Sequence, residues 1–251
     1  MDPPHPAASH STPGEELGTG AQFCLNGRMN QTVRAALAAA VTLALAGCQT
    51  AAPKPDMAEK ESSEEAAAPA VKLEWPLPEG WKAETIPFPL GFAPDIKLEG
   101  VEELRFAPGM FKADQPGYWS YAFVWWLDGE PTLGEPELER MLLSYFHGLA
   151  GAVARKKEFK IDTGRFRVAL NPSSGAPSKE GHNVQAFSGT ADIADAFVTG
   201  KPLTLNIDTW VWDCPVSGKR VALVLASPRN TSDPIWRDLF QRRDEFLCHR
   251  Y

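Results

Sequence analysis

The stretch Tyr118 to Leu127, YWSYAFVWWL, restricts the fold more than any other part of this chain. Its residues are aromatic or β-favouring almost throughout, which predicts a strand. Alternation puts Trp119, Tyr121, Phe123, Trp125 and Leu127 on one face. Tyr118, Ser120, Ala122, Val124 and Trp126 take the other. Both faces need covering, so the strand belongs inside a sheet with packed layers on either side. With 43% apolar residues in a chain of 251, there is material for that core.

The covering layers are predicted as two helices. Leu138, Met141, Leu142, Tyr145, Phe146, Leu149 and Val153 keep a helical rhythm. Glu135, Glu137 and Glu139 lead that helix and Arg155, Lys156 and Lys157 close it, complementing its dipole. Gly148 and Gly151 either weaken it or allow a neighbour to come close. A second helix starts with Asp233 as N-cap and Pro234 at its first position, with Ile235, Trp236, Leu239, Phe240, Phe246 and Leu247 as its stripe. Further strands are expected at 83–87, 103–107, 159–170, 183–189, 203–212 and 220–226. The expected fold is α+β: a single domain over 72–251, largely antiparallel, with two long helices packed on the sheet. The order of these elements resembles the PsbP-like α/β/α sandwich, although no motif is shared.

The N-terminal third differs in character. Residues 1–71 hold four basic and eight acidic side chains and none of the eight Trp. Residues 1–28 are rich in Pro, Gly and Ser, with no apolar period, and read as a disordered or wrongly assigned extension. From Met29, a short start with Arg34 precedes an uncharged run from Ala35 to Ala46, then Leu45-Ala46-Gly47-Cys48. A positive end, a short greasy middle and small residues before a cut make a secretory leader over 29–47. The alternative, a core helix ending at a structural cysteine, suits a run without a polar face poorly.

Through that lipobox the sequence resembles the bacterial lipoproteins. The resemblance implies that Cys48 receives a diacylglyceryl group, that cleavage precedes it, and that acyl chains hold the protein at a membrane. Each buried CH₂ contributes about 0.8 kcal/mol, so two or three chains anchor it stably. Gln49, where a retention signal would be Asp, implies the outer membrane, facing the periplasm. The leader is better presented if the chain begins at Met29, in which case Cys24 is never made. Residues 48–71, rich in Ala, Pro, Glu and Ser, then form a tether with a reach of roughly 25–30 Å. A helix over Met57 to Ala68 is the alternative, but it has no stripe to dock.

Chemistry is harder to find. No nucleophile elbow, zinc-protease, Walker or calcium-loop pattern occurs, and no cofactor or metal is expected. A net charge of −7 offers no basic field for nucleic acid. His147 is expected on the solvated side of its helix, and His182 ends a long loop that is expected to be mobile. Asp192 and Asp195 are acids that by default form turns or face solvent. Together with His182 they make the one arrangement on which an envelope hydrolase could rest. Trp210 and Trp212 share a strand face with Asn206 and Asp208, a combination able to bind a sugar or peptide. A helix covering that face explains them equally well. Cys214 and Cys248 are the thiols left after lipidation and leader loss, and an oxidising compartment favours a disulfide between them worth roughly 3–4 kcal/mol. The expected function is therefore a lipid-anchored envelope protein that binds a protein or glycan partner without catalysis.

Overall fold

Seven strands hydrogen-bond into one antiparallel sheet, and each of the two long helices belongs to one of its faces. The structure, a computed structural model, describes residues 72–174 and 182–249. The expected extension (1–28), leader (29–47) and tether (48–71), Cys48 included, lie outside the described residues.

The strands are β1 (Lys72–Glu74), β2 (Lys82–Pro87), β3 (Gly100–Phe106), β4 (Tyr121–Leu127), β5 (Arg167–Pro172), β6 (His182–Ala194), β7 (Pro202–Asp213), β8 (Arg220–Ser227) and β9 (Leu247–His249). The helices are α1 (Glu135–Lys157) and α2 (Pro234–Glu245). The sheet order is β2-β3-β4-β8-β7-β6-β5, and β1 pairs separately with β9. This is the α+β domain expected from the pattern.

Strand β4 is interior and every residue of it is buried. Tyr121, Phe123, Trp125 and Leu127 face the α1 core with Leu138, Leu142, Tyr145 and Phe146. Ala122, Val124 and Trp126 face the α2 core with Ile235, Trp236 and Leu239. The two-faced reading of this segment is thus realised in packing. The strand itself starts three residues later than expected, because Trp119 takes a left-handed conformation (φ 49°) in a turn.

Both helix starts match the expectation, and Asp233 caps α2 by accepting from the Ile235 amide at 3.1 Å. Gly148 is where α1 meets its neighbour: a β-carbon there would lie 2.0 Å from the Phe92 carbonyl oxygen. Three expectations need correction. The segment 159–166 is no strand; Asp162 accepts from the Gly164 amide at 3.1 Å and starts a single 3₁₀ turn, Thr163–Arg165. Phe246 and Leu247 leave the helix, since α2 ends at Glu245 and the chain extends to place β9 against β1. His147 is half-buried and meets Phe166 edge-on at 5.4 Å.

Candidate functional site

The strand face carrying Asn206, Asp208, Trp210 and Trp212 lies beneath α2. Trp210 and Trp212 are each 5% exposed. Phe240 meets Trp210 at 6.3 Å, the Arg243 guanidinium sits 4.8 Å over the same ring, and Phe246 meets Trp212 at 5.8 Å. The Asn206 side-chain amide donates to the Arg229 carbonyl at 2.9 Å. Burial pushes the Asp208 carboxyl above its ordinary range, with Arg243 opposing the shift. Of the groups that invited a ligand, Trp210 and Asp208 are thus engaged by α2, Trp212 by Phe246 just after it and Asn206 by the connection before it. This is the covering alternative that the sequence left open.

The hydrolase arrangement does not assemble. His182 and Asp192 stand at opposite ends of β6, separated by roughly 30 Å at about 3.3 Å per residue. Asp192 is exposed and accepts from the Thr204 hydroxyl at 2.6 Å. Asp195, expected to form a turn or face solvent, forms a turn and is 1% exposed. Its Oδ1 accepts from Trp119 Nε1 at 2.7 Å and from the Phe197 and Val198 amides at 3.0 Å each. Its Oδ2 accepts from the Tyr118 hydroxyl at 2.6 Å and the Thr199 amide at 2.7 Å. Burial alone would raise its pKa, but the donated hydrogen bonds prevail and hold it below the usual carboxylate range. Asp195 is a structural knot: it ties the turn before β4 to the turn between β6 and β7.

Two features were not singled out in the sequence. The first is a groove of about 540 Å³ beside β1, with Trp75, Val101, Glu103, Arg105, Trp126 and Lys219 in its lining. Arg105, 6% exposed, builds it. Its guanidinium donates to the Trp75 carbonyl at 2.6 Å, bonds Glu103 at 3.1 Å and stacks 4.6 Å over the Trp75 ring. Lys219 pairs with Asp128 at the far end. The second is Glu102, 0% exposed in the α1 core. Trp125 Nε1 donates to its Oε1 at 3.2 Å and the Tyr145 phenol bears on the carboxyl, while Oε2 and the buried Tyr121 hydroxyl have no partner. Burial pushes the Glu102 pKa up to about 8.

Among the described residues, no three His, Cys, Asp or Glu side chains gather to hold a metal ion. No helix among them is long and apolar enough to cross a membrane. No protein-family model and no curated protein matches the chain. Among solved structures, that of LpqN, involved in cell envelope biogenesis of Mycobacterium tuberculosis, aligns over 72% of this chain and 84% of its own. Identity is 13% and the TM-score 0.28, a likeness too slight to carry an argument about fold or function.

Proposed function

We propose that this chain is a lipid-anchored cell-envelope protein, held through acyl chains on Cys48, whose body binds an envelope protein or glycan at the groove beside β1 without catalysing a reaction. The observation that carries the reading is the groove's position. It lies against Leu73 and Trp75, directly after the proposed tether over 48–71, so a tethered body presents this face close to its attachment. Its chemistry supports binding too. Arg105 with Glu103 and Lys219 with Asp128 are internally neutralised pairs, which leaves a rim of hydrogen-bonding groups around apolar walls. Location in the outer membrane, facing the periplasm, rests on the lipobox and Gln49.

The proposed Cys214–Cys248 bridge fits the same compartment. Cys214 is 1% exposed in the α2 core, against which Leu73 packs. The β1–β9 register sets the Cys248 backbone opposite Leu73.

A photo-cross-linking residue placed at Lys219 in the full chain, in cells, tests the binding reading. The expected result is one envelope partner captured from position 219 and not from Lys156 on α1. The same species from both positions, or no capture from 219, refutes it.

A further inference from the structure

Glu102 takes no part in the reading above, and its surroundings are unusual for a carboxyl. On β3 it faces α1, with Ile86 of β2 on one side and Trp125 of β4 on the other as its register partners. The titratable groups bearing on it are Glu84 from β2, Tyr121 from β4 and Tyr145 from α1. All of them are acids. A neutral carboxyl is the form that burial favours there, against the opposing pull of the Trp125 N–H, which favours the charged form. A charged one would sit in an aromatic core with no cation among these neighbours.

The residues that hold Glu102 also hold the edge of the sheet. Phe88 packs edge-on against Trp125 at 6.0 Å, and Phe92 against Tyr145 at 5.2 Å. Among the described residues β2 pairs with β3 alone, so the segment from Lys82 to Phe92 is held by one ladder, these ring contacts, and Ile86 and the buried Leu90 against the α1 core. As an edge strand whose residues are exposed or half-buried, β2 is more cheaply released than the interior strands.

We propose that Glu102 is a proton-operated latch between α1 and the β2 edge: neutral, it closes the segment 82–92 onto the sheet, and once ionised it releases that segment. The buried carboxyl with one partnerless oxygen, the acid-only neighbours and the shared Trp125 and Tyr145 contacts carry the inference. Release also reaches the groove, because the Thr85 hydroxyl on β2 donates to Glu103 at 2.5 Å.

Amide hydrogen exchange of the full chain between pH 6 and pH 9, corrected for intrinsic rates, tests the latch. Protection across Lys82–Pro87 should fall about a hundredfold between pH 6 and pH 9, nearly all of it below the carboxyl's titration near pH 8, while β7 and β8 stay protected. In Glu102→Gln that fall should vanish; in Glu84→Gln it should persist. The wild type supplies a second readout independent of any variant. The Glu102 carboxyl carbon signal should titrate near pH 8, where the loss of protection levels off. Constant protection in the wild type from pH 6 to 9, the same fall in Glu102→Gln, or a Glu102 signal titrating below pH 6 overturns the proposal.

Discussion

Asp195→Asn should destabilise the fold by about 4 kcal/mol at pH 7, from the loss of charge-assisted hydrogen bonds worth about 1.5–3 kcal/mol each. An asparagine oxygen in the place of Oδ1 still accepts from Trp119, Phe197 and Val198, though more weakly without the charge. The amide nitrogen in the place of Oδ2 then faces two donors. The Tyr118 hydroxyl can rotate and accept instead, but the Thr199 N–H cannot. One buried bond is therefore lost outright, and three others lose their ionic component. Against a total stability of about 5–15 kcal/mol this is a large fraction. The pH dependence has a definite sign. The folded pKa of Asp195 lies below its unfolded value, so its contribution is complete above the unfolded pKa and disappears as pH falls through the folded one. Urea unfolding followed by tryptophan fluorescence, in a Cys48→Ala background, measures both effects. The gap between the parent protein and its Asp195→Asn variant should be widest near neutrality and shrink below about pH 4. A difference under about 1 kcal/mol at pH 7, or a gap that widens on acidification, would refute the knot.

Gly148→Ala should cost about 1–3 kcal/mol, because its new methyl meets the Phe92 carbonyl backbone, while Gly151→Ala in the same helix should be neutral or stabilise by up to about 1 kcal/mol. Parallel thermal melts of the two variants separate close approach from helix propensity. Cys48→Ala should move the protein from the membrane fraction to the soluble one and abolish lipid labelling, checked by fractionation and intact mass. The exported protein should be about 2 Da lighter unreduced than reduced if Cys214 and Cys248 pair, and native labelling of both thiols would remove the bridge.

What the sequence made legible was set by local pattern. The alternation through Tyr121–Leu127 and the stripe from Leu138 to Val153 each name an element and the side it buries, because neighbours in sequence determine them. Gly148 and Gly151 were readable as either weak points or points of close approach, and the Phe92 carbonyl beside Gly148 makes it the latter. The misses arose where distant pairing or a single side chain outweighed that pattern. Asp162 diverted a β-favouring segment into a 3₁₀ turn. Phe246 continues the apolar rhythm of α2, yet the chain beyond Glu245 instead pairs with Lys72–Glu74, far away in sequence. The site residues follow the same rule. Trp210 and Trp212 announced themselves by type, and only the placement of α2 decided that they are covered. Glu102 left a fainter signal. In Val101-Glu102-Glu103-Leu104 one glutamate must share the face of Leu104, and alternation makes it Glu102. An acid on the apolar side of an interior strand conflicts with the packing around it, and such conflict within an otherwise consistent fold marks a place where function is worth testing.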